Sequence, residues 1–298
     1  MTAIVEQPAV KVRSGVSLAW PAIALAVLLG CVPLAFVVLY SFLKPAAFGG
    51  VEWIASPDAY QQLLFRKDLF SQELVFSSDH LMIFARSVLL ALVTTLLCLA
   101  IGFPTAAYMA SRPPHQRKWL VLTITIPFWT SLLVRTLALM LIIGDQGLIN
   151  GLLIRYGLIA TPIPILYSDF AVLLGLLYSF LPFMVLPLLS SLEKLDPRLT
   201  EAGADLYASR WRIALQVVLP NIRPGILAGC LLVFVPALGS YVVPLILGGG
   251  RSMMIGDLIA LQFGTSRNWP LGAAESVVLV FFVMLAFALP HLARRRSA

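Results

Sequence analysis

The sequence predicts an all-α polytopic membrane protein with six transmembrane helices and a cytoplasmic helix hairpin between the fourth and fifth of them. Hydrophobic residues make up 60% of the 298 residues and charged residues only 12%, about half the charged share of a typical soluble domain. The apolar residues also come in runs, and most of these runs reach the roughly 20 residues that a bilayer-spanning helix needs. Because lipid cannot satisfy an open backbone, each run is expected to be a helix.

A short tail over residues 1–13 precedes a single membrane domain over residues 14–293, and a basic tail follows at 294–298. The first apolar run is too long for the core of a secretory signal peptide, so it is interpreted as a retained helix. Arg135 is the one charged residue within the third run. The six spans are expected at about residues 18–43, 81–111, 119–144, 168–192, 224–248 and 272–293.

The distribution of basic residues predicts the orientation of the chain. With the N-terminus inside, thirteen Lys and Arg residues fall in cytoplasmic segments and six in external ones. Cytoplasmic loops carry such an excess, so both termini are expected on the cytoplasmic side of the membrane, with lipid around the spans. The same rule accounts for the net charge of +7. Without a zinc-ligand spacing or an RNA-binding signature, no nucleic-acid partner is expected.

The longest external segment covers about residues 44–80. It is either a solvated loop or a docking surface for an external partner. Its last part, together with the start of the second span (residues 74–85), is apolar enough to lie on the membrane surface.

The cytoplasmic loop over residues 193–223 has the pattern of two short helices. Asp196 followed by Pro197 is a favourable helix start, because a carboxylate can cap the helix and proline is tolerated at its first position. A helix is therefore expected over residues 197–206, and Ser209 is expected to cap a second one. Three apolar residues at helical spacing would share one face of that second helix: Trp211, Leu215 and Val218.

Pro220 and Pro224 would end this pattern before the fifth span. A hairpin of this kind has two interpretations. Held rigidly by the adjacent spans, it would transmit a displacement from a cytoplasmic partner into the membrane. Alternatively, it is a solvated amphipathic hairpin that rests on lipid headgroups.

Residues 201–220 resemble the permease motif of ATP-binding-cassette importers. That motif reads Glu-Ala-Ala, three residues, Gly, nine residues, Ile, one residue and Leu-Pro. The spacing in this chain is the same, and the stretch lies before the penultimate span, as in the family. The residues at the motif positions are Glu201, Ala202, Gly203, Tyr207, Val217, Leu219 and Pro220.

Longer stretches are similar to the permease subunits of spermidine/putrescine-type importers, namely residues 127–136, 144–150, 219–249 and 268–274. The resemblance implies that the hairpin, including Ser209 and Trp211, couples the spans to a cytoplasmic ATPase dimer. It also implies a second permease subunit, which is expected to be a different chain, and a periplasmic or extracellular substrate-binding protein. The expected cargo is a polyamine or a similar small organic solute; related permeases carry iron, opines or phosphonates.

Two residues depart from the family motif. Tyr207 stands where the family has glycine, and a bulky residue should avoid the left-handed backbone that glycine adopts. The turn is therefore expected to be reshaped or the first helix extended, and Tyr207 is hypothesised to contact the ATPase. Gly203 replaces an alanine and should weaken the first helix by roughly 1 kcal/mol. Glu201 is expected to fix the hairpin through a salt bridge or a helix cap.

The sequence lacks the G-x-x-x-x-G-K-[ST] loop that binds nucleotide phosphates. We therefore expect no catalytic residues, no metal ligands and no cofactor in this chain, with ATP and Mg held by the partner ATPase. Closure of that ATPase would draw the hairpins together and switch the pathway by alternating access. The alternative is an ion-gradient-driven secondary transporter, which would need midplane acids that the spans lack.

Ionisable residues at membrane depth are costly and indicate function. Arg135 is expected to line the pathway, to pair with an acid or to extend towards the interface. Acids and aromatic faces would suit a polyamine, although Trp and Tyr also anchor helices at the interface. The candidate pathway residues are Trp129, Arg135, Asp169, Tyr178, Tyr241 and Glu275. Separately, Gly225 and Gly229 form a small-residue pair that suits close helix contact.

Overall fold

The computed structural model describes residues 16–46, 48–67 and 74–295. The predicted N-terminal tail, residues 1–13, and the last three residues of the predicted basic tail lie outside them. The helices and strands in chain order are α1 (Val16–Tyr40), β1 (Leu43–Pro45), β2 (Val51–Ala55), α2 (Asp58–Gln62), β3 (Phe65–Lys67), β4 (Leu74–Phe76), α3 (Asp79–Ala110), α4 (Pro114–Thr125), a 3-10 turn (Ile126–Trp129), α5 (Leu132–Ile143), α6 (Leu148–Arg155), α7 (Asp169–Leu192), α8 (Pro197–Asp205), α9 (Arg210–Ile213), a π-helical segment (Ala214–Val218), α10 (Leu219–Asn221), α11 (Arg223–Leu238), α12 (Val242–Gly248), α13 (Ile255–Phe263) and α14 (Trp269–Arg295).

The centre of the protein is a bundle of α3, α7 and α11, each of which packs against the other two. Glycines on α11 set its approach to α7. A Cβ atom at Gly225 would lie only 2.9 Å from the carbonyl oxygen of Pro187, and one at Gly229 only 2.7 Å from the sulfur of Met184. Because lipid is as apolar as a leucine side chain, helices in a membrane associate through such close packing. The small-residue pair predicted on the fifth span is thus confirmed as a helix contact.

Two ion pairs show how the central helices run. Arg86 near the start of α3 pairs with Asp169 at the start of α7, and Arg117 just after α3 pairs with Glu193 just after α7. Helices α3 and α7 are therefore parallel, while α11, which follows the hairpin, runs back between them. We call the end of the bundle that carries α8 to α10 the hairpin end, and the opposite end, which carries β1 to β4, the sheet end.

Five helical stretches of the described chain are long and apolar enough to cross a bilayer, and a sixth is added if two helices that meet at a bend count as one. The bend lies between Arg210–Asn221 and Arg223–Leu238 and measures 75°. The five are Trp20–Tyr40, Asp79–Ala110, Leu132–Arg155, Asp169–Leu192 and Trp269–Phe287. The predicted all-α polytopic class is confirmed.

The region predicted as a continuous third span is broken in the structure. Helix α4 ends at Thr125, a 3-10 turn follows, and α5 begins only at Leu132. Pro127 lies at the break, where it has no N–H to donate to the preceding turn. The hydroxyl of Thr125 donates to the carbonyl oxygen of Val121 at 2.9 Å, which satisfies an acceptor next to the break. Exposed backbone is tolerated at membrane depth where such groups or protein cover it.

The predicted fifth span, residues 224–248, is also divided. Helix α11 ends at Leu238, and α12 begins at Val242 after a short non-helical link. In this link, the N–H of Gly239 donates to the carbonyl oxygen of Val235 at 3.2 Å, and the N–H of Ser240 donates to that of Ala237 at 3.3 Å. The remaining predicted spans match single helices within three residues at each end.

The loop at the sheet end contains structure that the sequence pattern did not predict. Strands β1 and β2 form one antiparallel pair, and β3 and β4 form another. The segment over residues 74–85, expected on the membrane surface, forms β4 and then enters α3 at Asp79. The strands are three to five residues long, which is too short to show the alternating pattern that identifies a strand in a sequence.

Candidate functional site

The hairpin over residues 193–223 begins with the helix cap that the sequence predicted. The backbone N–H of Arg198 donates to Oδ1 of Asp196 at 3.0 Å, and Pro197 occupies the first turn of α8. Ser209 likewise caps α9, since its hydroxyl oxygen accepts from the N–H of Arg212 at 3.3 Å. Both predicted helix starts are confirmed.

The turn between α8 and α9 contradicts the expectation for Tyr207. The residue adopts the left-handed conformation, with φ of 53°. Its N–H donates to the carbonyl of Ala204 at 2.9 Å, and the N–H of Ala208 donates to that of Gly203 at 3.2 Å. These two bonds form a Schellman motif, in which the left-handed residue ends the helix. The two hydrogen bonds hold Tyr207 in a conformation that tyrosine would otherwise avoid.

Gly203 has a packing role that its helix propensity alone does not reveal. A Cβ atom at this position would lie 3.1 Å from Cγ1 of Ile213. The absence of a side chain therefore lets α8 lie directly against α9, which offsets part of the propensity cost of glycine in a helix. Glu201 is exposed, and within the described part of the chain it makes neither an ion pair nor a side-chain hydrogen bond. The predicted Glu201 salt bridge or cap is therefore not found among the described residues.

The predicted common face of Trp211, Leu215 and Val218 is divided. Trp211 and Leu215 are exposed, whereas Val218 packs against the core of the bundle. The cause is the π-helical segment Ala214–Val218, whose wider turn moves later residues out of α-helical phase. Val217, Leu219 and Pro220 of the motif lie in or just after this segment.

The tip of the hairpin is apolar and uncovered. Tyr207 is 98% exposed and Trp211 is 73% exposed. Leu206 and Leu215 are also exposed, as are the small residues Ala202 and Ser209. Four exposed large apolar side chains within one short hairpin are of the kind that marks a protein contact.

The base of the hairpin is tied to the bundle by Arg117, which sequence reasoning did not single out. Its Nη1 donates to Oε1 of Glu193 at 2.8 Å, and its Nη2 donates to the carbonyl oxygens of Ala110 and Arg112 at 3.0 Å each. One guanidinium thus joins the end of α3, the start of α4 and the end of α7. A basic residue shortly after a helix C-terminus was the available signal.

The candidate pathway residues occupy separate settings. Asp169 pairs with Arg86, which also donates to the carbonyl oxygen of Arg251 and to Oγ of Ser252, both at 3.0 Å. This cluster ties α3, α7 and the turn after α12 together at the sheet end. Trp129, Tyr178 and Tyr241 are all exposed on the surface of the chain.

Arg135 lies on α5, with its guanidinium carbon 5.0 Å from the ring centre of Phe128. Its Nε and Nη1 are buried and make no hydrogen bond to any described residue. A ring face attracts such a cation but offers no acceptor for its N–H groups. Of the three roles considered for Arg135, pairing with an acid is not found within the described residues.

Glu275, on α14, is only 1% exposed. Its Oε1 lies 3.1 Å from Nδ1 of His80 at the start of α3. The pair lies at the sheet end, in the wall of a cavity of about 390 Å³. Among the described residues, no group of three or more His, Cys, Asp or Glu side chains is placed to hold a metal ion.

Asp257 is the other buried acid at this end, in α13, a nine-residue helix that is not one of the long apolar helices. It is 8% exposed. Burial raises its pKa to about 6, partly offset by a hydrogen bond from the N–H of Met254. The N–H of Ile255 donates to Oγ of Ser87 at 2.8 Å and so fixes the start of α13 to α3.

Comparison with known proteins places this geometry in a family. The sequence model of one family, described as the binding-protein-dependent transport system inner membrane component, matches residues 101–297. The spermidine/putrescine transport system permease protein PotB of Escherichia coli K12 is 38% identical over 251 residues, which cover 84% of this chain and 90% of that protein. The Haemophilus influenzae protein of the same name is 43% identical over 193 residues, which cover 65% of this chain and 68% of that protein.

Solved structures agree on the fold. A bacterial ABC transporter involved in the import of the acidic polysaccharide alginate superposes with a TM-score of 0.64 at 18% identity, covering 94% of each chain. The inward-facing MetNI methionine ABC transporter superposes with a TM-score of 0.53 at 18% identity, covering 72% of this chain and 94% of that one. The family model matches about two thirds of the chain, and the fold agrees. The chain therefore belongs to the binding-protein-dependent transport system inner membrane component family and is the permease component of a binding-protein-dependent ABC importer.

Proposed function

We propose that this permease forms half of the pathway of an ATP-driven polyamine importer that works by alternating access. The similarity to two spermidine/putrescine permeases supports the choice of cargo. A polyamine carries several ammonium groups on a methylene chain, which acids bind by charge and aromatic faces by cation–π attraction. Tyr178 and Tyr241 expose such faces on this chain.

The hairpin is the proposed docking element for a cytoplasmic ATPase dimer, which binds and hydrolyses the ATP with Mg. The observation that carries this step is the uncovered apolar tip, where Tyr207 and Trp211 are held by capped helices. Because Arg117 fixes the base of the hairpin to α3 and α7, a displacement of the tip is transmitted to the bundle. The motif residues Glu201 to Pro220 define the contact.

The orientation and the remaining partners follow from this arrangement. The hairpin end faces the cytoplasm together with both termini, in line with the excess of basic residues in the segments predicted to be cytoplasmic. The sheet end then faces the periplasmic or extracellular binding protein, and Phe48 and Trp53 are exposed there. A second permease subunit, a different chain, completes the pathway.

Uptake into reconstituted vesicles tests the proposal. We expect spermidine to accumulate only when the second permease, the ATPase, ATP and the binding protein are all present. Replacing both Tyr207 and Trp211 by Ala should abolish uptake while the chain still inserts. Spermidine uptake driven by a proton or sodium gradient, without ATP, would instead establish the secondary-transporter alternative.

One observation favours a second cargo class. The guanidinium of Arg135, with two buried nitrogens free of described hydrogen-bond partners, would attract an anion such as a phosphonate. Stimulation of ATP hydrolysis by binding protein loaded with a phosphonate, but not by binding protein loaded with spermidine, would select that cargo. Arg135→Gln would then reduce the stimulation, whereas it should leave polyamine stimulation unchanged or improve it.

A further inference from the structure

A cavity of about 390 Å³ lies at the sheet end, where α2, α3, α13 and α14 meet. Its volume is within the range of small-molecule sites. The lining is mostly aliphatic and aromatic, with one imidazole and one carboxyl side chain. Residues from all four helices contribute, among them Tyr60, His80, Phe84, Ile255, Glu275 and Phe282.

The polar groups of this cavity are incompletely satisfied. Glu275 is 1% exposed and His80 has 24% of its side chain exposed, so the carboxylate lies deeper than the imidazole. Although Nδ1 of His80 is 3.1 Å from Oε1 of Glu275, neither carboxylate oxygen nor Nδ1 makes a hydrogen bond of good geometry to any described residue. Buried polar atoms are almost always hydrogen-bonded, so such a set calls for a missing partner.

The outer rim of the cavity is apolar and accessible. Leu64, Leu81 and Phe282 line it and are each exposed on the surface of the chain. A ligand can therefore enter from the lipid or the interface and place an apolar part along the rim. The polar end of the ligand would then reach the carboxylate of Glu275, which lies behind these side chains.

We propose that this cavity binds a ligand with a single primary ammonium group on an apolar chain. Such a group has three N–H donors, enough to satisfy both Oε1 and Oε2 of Glu275. The charge of the ammonium neutralises the buried carboxylate, and the ring faces of the lining add cation–π attraction. Both the headgroup of an aminophospholipid and a free alkylamine have this chemistry.

The ligand of this site differs in charge from the proposed cargo, although Glu275 is also one of the predicted pathway residues. Glu275 is the one acid among the described residues that line the cavity. A polyamine would bring two or more further charges into apolar walls, which is costly without partners. The inference therefore does not rest on the identity of the cargo.

The full chain in nanodiscs tests the proposal. In nanodiscs of mixed phosphatidylcholine and phosphatidylethanolamine, native mass spectrometry should detect one retained phosphatidylethanolamine. In pure phosphatidylcholine, octylammonium should raise the unfolding temperature and 1-octanol should not. Glu275→Gln, which keeps the shape of the side chain and removes its charge, should weaken either interaction at least tenfold.

Cavity-filling variants provide a matched control that leaves the carboxylate in place. Val278 lines the cavity, whereas Val280, two residues further along α14, is exposed on the surface. Val278→Phe should abolish binding and Val280→Phe should preserve it, and this comparison decides the matter if Glu275→Gln does not fold. Retention of the lipid without an octylammonium effect identifies the lipid as the source, and the reverse identifies a free amine. Octanol acting as well as octylammonium, or binding that survives both Glu275→Gln and Val278→Phe, would overturn the proposal.

Discussion

Replacing Tyr207 separates the stability of the hairpin turn from its contact with the ATPase. The left-handed conformation costs an L-residue about 1–2 kcal/mol, whereas glycine adopts it freely but loses roughly 0.5–1 kcal/mol more conformational entropy on folding. Tyr207, at φ of 53° and 98% exposed, makes few contacts within its own chain that a substitution would remove. We therefore expect Tyr207→Gly to stabilise the turn by roughly 0.5–1 kcal/mol.

The same substitution should weaken assembly with the ATPase. A tyrosine buries about 150–250 Å² in an interface, and at about 25 cal/mol per Å² this sets an upper bound of roughly 4–6 kcal/mol. Truncation of an interface hot spot costs about 2 kcal/mol or more, which is a loss of roughly 30-fold in affinity. Stability of the turn and affinity for the partner should thus change in opposite directions.

Tyr207→Ala is the matched control, because it removes the ring and keeps the strain. Hydrogen exchange of the Tyr207-position and Ala208 amides, which form the two Schellman bonds, reports on the turn. Exchange should slow about two- to fivefold in the glycine variant alone, while binding of the purified ATPase subunit should weaken alike in both. Unchanged affinity in both variants would refute the aromatic contact, and equal exchange rates in the two would refute the strain argument.

Three further predictions follow from other contacts. Gly225→Ala should destabilise the bundle by about 1–3 kcal/mol, since its methyl group would overlap Ser191 of α7; thermal unfolding in detergent measures this, and an unchanged midpoint would contradict the close packing. Arg117→Gln should lower transport-coupled ATP hydrolysis more than it lowers ATPase affinity, because the base of the hairpin loosens while its tip is intact; Lys118→Gln, at the exposed neighbouring position, should have no effect. The pKa of Asp257 is raised to about 6 by burial. This group therefore stabilises the fold most below its ordinary pKa near 4, and that contribution is lost as the pH rises through about 6. Unfolding midpoints should fall less steeply between pH 4 and 7 in Asp257→Asn than in the parent chain.

Much of the fold could be predicted because composition and helix-start chemistry are local. The bilayer requires long apolar helices, so the spans are visible in the sequence. The side chains of Asp196 and Ser209 cap helices by accepting from backbone N–H groups only two or three residues further along the chain. The spacing of Gly225 and Gly229 likewise needs only helical periodicity to predict a packing face.

The features that the sequence did not predict depend on distant partners. Tyr207 adopts an unfavourable backbone conformation because hydrogen bonds to α8 hold it there, and no propensity rule contains those bonds. Arg117 reaches Glu193, 76 residues away in sequence, and Arg86 reaches Asp169, 83 residues away. Neither pairing has a sequence signature without knowledge that α3 and α7 are parallel.

The π-helical segment Ala214–Val218 has a consequence for how the hairpin is oriented. Each π turn contains one residue more than an α turn and rotates everything beyond it by roughly 100° about the axis. The angular position of Leu219 and Pro220 relative to Trp211 is therefore set by that extra residue rather than by their identities. Deleting one residue of this segment other than Val217 would restore α-helical winding and turn the exposed tip to another side of the bundle, with every side chain of the motif still present.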